Sequence, residues 1–218
     1  MKTRKPLLGL LTYSLHSASG SLALVLLVSL LVGIVALISG HELPLLQLFP
    51  LLGAGAAPYV VLMNSEGTPK WESYQIAMPI KRKDVASALY LNVFIASLLG
   101  IPIIGIVWAV GFVLNENMLA MILNSGGLSG VAFVYGVVFF TTTFLYPLGC
   151  TRFGQRSTQG LFLLSVMAAT AATLGLSFIG NKIELSDAVL SLMIVGLAGI
   201  AFVISLFITR AIYAKIDF

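Results

Sequence analysis

Six long runs of apolar residues, separated by polar stretches, make up most of this chain. A membrane-spanning α-helix needs about 20 mainly apolar residues at a rise of about 1.5 Å each. Each run is long enough, so the pattern predicts an all-α membrane protein that crosses a bilayer six times. The predicted spans are Ser21–Ser39, Leu45–Met63, Leu89–Leu114, Leu128–Leu148, Gly160–Ile179 and Ala188–Ile208.

Composition supports a bilayer as the solvent. The chain is 59% hydrophobic and 9% charged, whereas an ordinary soluble domain is about 25% charged. Its mean hydropathy is +1.04. A soluble fold of 218 residues has too small a core to bury that much hydrocarbon. We therefore expect residues 1–218 to form a single transmembrane domain.

The basic residues predict the orientation. With six spans, every Lys and Arg except Lys182 falls on the side of the N-terminus. Cations in short loops mark the cytoplasmic side, so both termini are predicted to lie in the cytoplasm. The net charge of +4 is then a topological signal, and no nucleic-acid partner is expected.

The first residues predict a short amphipathic helix within 1–19 that lies at the membrane surface. Pro6 can begin such a helix, and Leu7, Leu8, Leu11 and Leu15 would face lipid.

Ionisable residues are missing from the middle of every predicted span. Ion-coupled carriers usually keep such residues at the midplane, where each costs about 2.5–3.5 kcal/mol on insertion scales. His16 and His41 lie at or beyond the ends of the first span and are not spaced as metal ligands or as a catalytic pair. We therefore predict a non-catalytic chain without a metal or cofactor, whose energy comes from a partner. A membrane-embedded enzyme is disfavoured.

Small residues and prolines mark places where helices can approach closely or bend. Close packing within one chain, a subunit interface and the lining of a transport pathway are all compatible with them. The candidates are Gly53 and Pro58 in the second span and Ala168, Ala172 and Gly175 in the fifth.

The long cytoplasmic connection, residues 64–88, contains a predicted short helix. Thr68 is a suitable N-cap, and Pro79 cannot lie far inside the helix. Trp71, Tyr74 and Met78 share one face. Because so short a helix is unstable alone in water, that face must rest on lipid headgroups, on the ends of the spans or on a partner.

Three cations, Lys81, Arg82 and Lys83, follow this helix just before the third span. They can act as topological charges and contact anionic lipid, at about 1 kcal/mol each near the surface. This role is compatible with docking of the helix on a partner.

This loop resembles the one between the second and third spans of ATP-binding cassette permeases of the second type, in their small bacterial branch. The shared pattern is Glu…Lys-Trp-Glu-x-Tyr…Leu-Pro-Ile-x-Arg-Lys-x-x-Val…Tyr-Leu, with Met78 in place of the Leu. The matching residues are Glu66, Lys70, Trp71, Glu72, Tyr74, Pro79, Ile80, Arg82, Lys83, Val85, Tyr90 and Leu91. A second segment, Leu145–Leu148 followed by Arg152, Phe153 and Gly154, resembles that branch's turn between the fourth and fifth spans.

The resemblance implies a permease subunit of an ATP-driven exporter in the bacterial cytoplasmic membrane. Two such chains, identical or similar, would pair above two ATPase subunits, which bind ATP and Mg. The loop would supply the coupling helix, seated in a groove of the ATPase. The implied coupling residues are Lys70, Trp71, Glu72, Tyr74, Met78, Pro79, Arg82 and Lys83, with Arg152, Phe153 and Gly154 in the second cytoplasmic loop.

The same resemblance suggests the cargo. The branch exports, or gives immunity to, amphipathic peptides such as cytolysins and bacteriocins. Lipid or small-drug export is the alternative within the class. A non-transporting membrane scaffold or sensor is the alternative from another class.

Overall fold

A computed structural model describes residues 5–38, 82–114, 127–149 and 158–215. This part of the chain forms five α-helices. They are α1 (Lys5–Ile38), α2 (Arg82–Leu114), α3 (Gly127–Gly149), α4 (Thr158–Lys182) and α5 (Asp187–Lys215).

Four of these helices are long and apolar enough to cross a membrane, and α1 contains a shorter apolar helix, Ser19–Val35. The all-α, multi-pass prediction is therefore confirmed for the described ranges. The predicted second span, Leu45–Met63, lies outside them. The count of six spans and the orientation stay predictions.

Helix α1 differs from the expectation of a separate surface helix within residues 1–19. It is one continuous helix of 34 residues. No proline follows Pro6 in this segment, and the Ser19 hydroxyl donates to the His16 carbonyl oxygen at 2.7 Å, which satisfies the serine within the helix. Nothing in the local sequence is strong enough to end the helix before the first span.

The most extensive contact between helices is that of α3 with α5. Helix α3 packs mainly on α5 and α4, while α2 packs on α1 and α5. Tyr90, near the start of α2, contacts Tyr146 near the end of α3 and Thr209 near the end of α5. Helix α2 is therefore antiparallel to both α3 and α5, which is the alternation that successive spans require.

A tight turn reverses the chain between α4 and α5. The Leu185 amide donates to the Gly180 carbonyl oxygen and the Glu184 amide donates to that of Asn181, each at 3.1 Å. Glu184 has a positive φ of 56°. These two bonds and that φ define a Schellman motif, which usually has glycine at the positive-φ position. At this end Gly180 also contacts Leu190 directly.

Many hydroxyl groups within the helices are satisfied by the backbone one turn earlier. Ser97, Thr142 and Thr173 each donate to the carbonyl oxygen four residues before them, at 2.7–2.8 Å. This bond lets a small polar side chain sit inside a bilayer without an unpaired donor.

Candidate functional site

The predicted coupling residues divide between described and undescribed parts of the chain. Arg82 and Lys83 form the first turn of α2, and Lys83 is exposed. The other predicted coupling residues lie outside the described part of the chain. They are Lys70, Trp71, Glu72, Tyr74, Met78, Pro79, Arg152, Phe153 and Gly154.

The start of α2 is buried immediately after its two cations. The side chains of Val85, Ala86, Ala88, Leu89 and Tyr90 are all buried, Tyr90 to 1% exposure. The sequence assigned residues 82–88 to the cytoplasmic connection, but they form the first two turns of this helix. A displacement of the first turn of α2 would therefore act on the packed interior within two turns.

Tyr90 joins α2 to the end of α5 through its hydroxyl. The Tyr90 oxygen lies 2.6 Å from Ser205 Oγ and 2.9 Å from Thr209 Oγ1. Ser205 Oγ in turn donates to the Thr143 carbonyl oxygen of α3 at 2.9 Å. Since each hydroxyl has one proton, Tyr90 donates to Ser205 and Thr209 donates to Tyr90. One directed chain of hydrogen bonds thus connects α5, α2 and α3.

Aromatic contacts surround this hydrogen-bond chain. The ring of Tyr90 lies 4.8 Å from that of Tyr146 on α3 and 5.0 Å from that of Phe202 on α5, the second pair edge-on. Such pairs contribute about 0.5–1.5 kcal/mol beyond their buried area. We call Tyr90, Tyr146, Phe202, Ser205 and Thr209 the α2 anchor.

A second link lies deeper along the same helices. The Tyr135 hydroxyl on α3 donates to the Ser97 carbonyl oxygen on α2 at 2.9 Å. Tyr135 also packs with Val134 and Ile104. The two tyrosines therefore hold α2 to its neighbours at two heights, with Tyr90 next to the predicted coupling loop.

Sequence reasoning used Tyr90 only as a motif position and did not single out Tyr135, Ser205 or Thr209. A usable signal was present, because Ser205 and Thr209 are hydroxyl residues one turn apart in a largely apolar helix. Polar side chains in membrane helices usually face other helices.

Three of the five predicted pathway or interface residues lie on α4. Ala168 and Ala172 are half-buried and Gly175 is exposed, whereas Gly53 and Pro58 lie outside the described residues. The face of α4 that is fully buried consists instead of Ser165, Ala169 and Thr173. A pathway or interface role for the predicted set stays a prediction.

Two of the buried polar atoms in this packing have no hydrogen-bond partner. These are Thr141 Oγ1 on α3 and Ser165 Oγ on α4. In the described part of the chain, no group of three or more His, Cys, Asp or Glu side chains could hold a metal ion.

Residues 13–214 match the model of a protein family described as ABC-2 family transporter protein. No curated protein and no solved structure matches the chain. The matched range includes both the predicted coupling loop and the whole α2 anchor.

Proposed function

This chain belongs to the ABC-2 family of transporter proteins, and from that membership we propose how it is driven. Such a protein is the membrane component of an ABC exporter, and its family implies an ATPase partner. Our proposal is that the ATPase pushes on the loop of residues 64–88, and that the α2 anchor passes the displacement to α3 and α5.

The observation that carries this proposal is the burial and bonding of Tyr90. Tyr90 lies seven positions after Lys83, which is about 10 Å along the helix axis. Its hydrogen bonds to Ser205 and Thr209 make the start of α2 and the end of α5 move together. Rigid packed elements of this kind can transmit a displacement because cores do not deform continuously.

We also propose that the anchor lies at the cytoplasmic end, with both termini in the cytoplasm. Lys83 at the start of α2 and Arg210 and Lys215 at the end of α5 lie at the end that contains the anchor. Lys182 lies at the opposite end, beside the α4–α5 turn. This distribution supports the orientation because cytoplasmic loops carry the excess of cations.

The proposed assembly contains two permease chains, identical or similar, and two ATPase subunits in a bacterial cytoplasmic membrane. The ATPase subunits bind ATP and Mg. The proposed cargo is an amphipathic peptide, and lipid or small-drug export is the alternative. The exposed face of α4, which includes Leu164, Met167 and Phe178, is apolar and suits an amphipathic or lipid-like cargo.

The test combines purification with a transport assay. The protein, tagged and purified from native membranes, is expected to bring an ATPase with it. The double variant Trp71→Ala with Tyr74→Ala should insert normally but transport at least tenfold less peptide per ATP, since aromatic anchors at protein interfaces contribute about 2 kcal/mol or more. Tyr213→Ala, an aromatic truncation near the end of α5 and outside the loop, serves as the control.

Two outcomes would contradict the proposal. If the double variant forms a complex that still couples ATP hydrolysis to transport, the proposed coupling role of the short helix is excluded. Full transport activity of the purified protein without any associated nucleotide hydrolase would exclude an ATP-driven mechanism. Copurification of some other partner, together with no transport, would favour the scaffold or sensor.

A further inference from the structure

An apolar groove of about 690 Å³ runs between α2 and α5 on the outer surface of the helices. Phe94 of α2 and Phe139 of α3 line it together with residues of α5 that include Gly199, Phe202 and Val203. Its volume is within the range of about 300–1,000 Å³ that is usual for ligand sites. Gly199 leaves room here, since a Cβ on it would meet nothing within 4 Å.

Beyond the groove, each of its two helices carries a cation on the side that lines it. Lys83 lies 11 positions before Phe94 on α2, and Arg210 lies 11 positions after Gly199 on α5. Eleven residues bring an α-helix back to within about 20° of the same face. Lys83 and Arg210 therefore continue the two walls of the groove toward the end of the helices that contains the α2 anchor.

The spacing fits one leaflet of a bilayer. Eleven residues extend about 16 Å along a helix, and half of a hydrocarbon core is about 15 Å thick. When the cations lie at headgroup height, the groove lies at the depth of the acyl chains. On α2 and α5, this end of the helices carries four cations (Arg82, Lys83, Arg210 and Lys215) and one acid, Asp84.

We propose that this groove binds one anionic phospholipid of the leaflet that contains the anchor. The phosphate group would lie between Lys83 and Arg210, and an acyl chain would lie along Phe94, Gly199 and Val203. An anionic lipid is favoured over other occupants because the lining of the groove is apolar and the nearest cations along both helices, Lys83 and Arg210, lie toward one end of it. The inference does not depend on the ATPase, because it requires only that α2 and α5 span a membrane.

The experiment compares two lipids with identical oleoyl chains, phosphatidylglycerol and phosphatidylcholine. The full chain, purified in detergent with any subunit that copurifies, is titrated with each lipid and analysed by native mass spectrometry. We expect phosphatidylglycerol to bind at least tenfold more tightly, since each cation near the headgroup contributes roughly fivefold. Lys83→Gln with Arg210→Gln should reduce this preference to within about twofold. Lys215→Gln is the charge control, because Lys215 lies about 160° around α5 from Gly199.

A second pair of variants tests the apolar part. Gly199→Leu fills the groove and should weaken binding of both lipids. Gly175→Leu, at an exposed glycine of α4 that also has open space around it, should weaken neither. Thermal unfolding of each variant checks that it is folded.

Three results would overturn the proposal. Equal binding of the two lipids to the unaltered protein would exclude anionic selectivity. An equal loss in Lys215→Gln would indicate diffuse surface attraction instead of a site. Unchanged lipid binding in Gly199→Leu would show that the lipid does not occupy the groove. If the oligomeric mass of this variant is lower than that of the unaltered protein, the occupant is a second copy of the chain. If the oligomeric mass is unchanged, the occupant is the predicted second span, residues 45–63.

Discussion

Glu184 adopts a backbone conformation that favours glycine. Its φ of 56° lies in the left-handed region, which costs a non-glycine residue roughly 1–2 kcal/mol. Glu184→Gly should remove this strain and raise the free energy of unfolding by about 0.5–1 kcal/mol, after the greater freedom of glycine in the unfolded chain is subtracted. Thermal unfolding in detergent measures the gain.

The matched control for this change is Glu184→Ala. It removes the same carboxylate and keeps the strain, so its midpoint should not rise above that of the unaltered chain. Equal gains in both variants would attribute the effect to charge and contradict the role of φ.

Tyr90 gives a prediction about coupling. Tyr90→Phe keeps the ring contacts with Tyr146 and Phe202 and removes the bonds to Ser205 and Thr209. Hydrogen bonds between membrane helices contribute about 0.6 kcal/mol on average and up to about 1.7, so a modest loss of stability is expected. The peptide transported per ATP hydrolysed should fall severalfold.

Tyr135→Phe separates coupling from stability. It also removes a hydroxyl bond between α2 and a neighbouring helix, but deeper in the bundle and away from the loop. Its thermal stability should fall by a similar amount, while its transport per ATP stays near normal. Equal uncoupling in the two variants would exclude a special role for the α2 anchor.

The residues of the anchor were only partly predictable. The motif identified Tyr90 because the sequence around it is distinctive, but the position of Ser205 and Thr209 opposite it depends on how α5 is rotated. Every face of α5 is largely apolar, so its sequence does not reveal the rotation. Hydroxyl residues are an incomplete guide, since Ser205 and Thr209 are buried but Ser191 is not.

At the scale of the helices, the spans of α3, α4 and α5 were predictable, but several helix ends and the pairings were not: α2 begins at Arg82 and not at Leu89, and α5 continues to Lys215. The predicted span Leu128–Leu148 is the range found for α3 as a membrane-crossing helix, and Gly160–Ile179 and Ala188–Ile208 lie within α4 and α5. Span length is imposed by bilayer thickness and can be read from composition. Which helices touch depends on side-chain shapes that match at particular positions, such as Gly136.

At Gly136, helix α3 approaches both α5 and α4 closely. A Cβ on it would lie 2.7 Å from Ile194 Cγ2 on α5 and 3.2 Å from Thr173 Cγ2 on α4. Gly136→Ala should therefore push the helices apart and cost about 1–3 kcal/mol, as overpacked cores do. Thermal unfolding measures the loss.

A double-mutant cycle tests whether Ile194 is the cause. In the Ile194→Ala background, Gly136→Ala should cost clearly less, because the methyl group that it strikes is gone. Gly105→Ala on α2, where a Cβ meets nothing within 4 Å, should be neutral or slightly stabilising. A full cost in the Ile194→Ala background would contradict the proposed contact.

For the whole molecule, the alternation of α2, α3, α4 and α5 brings together charges that are far apart in sequence. Lys83 lies at the same end as Arg210 and Lys215 because Tyr90 bonds Thr209. The prediction from sequence assigned these cations to one side by counting spans. The contacts between α2 and α5 place them at one end without any count of spans, so the two arguments support each other independently.

The orientation itself can be tested with single cysteines. In a chain whose native Cys150 is replaced by Ser, Lys215→Cys should resist a membrane-impermeant maleimide in intact cells, whereas Ser186→Cys in the exposed α4–α5 turn should react. The reason is that cytoplasmic loops carry the excess of Lys and Arg. The opposite orientation would place nearly all the Lys and Arg of the chain outside the cell. After permeabilisation both positions should react, which shows that the Lys215→Cys thiol is accessible. Labelling of Lys215→Cys and protection of Ser186→Cys in intact cells would reverse the orientation, and would place the α2 anchor out of reach of any cytoplasmic ATPase.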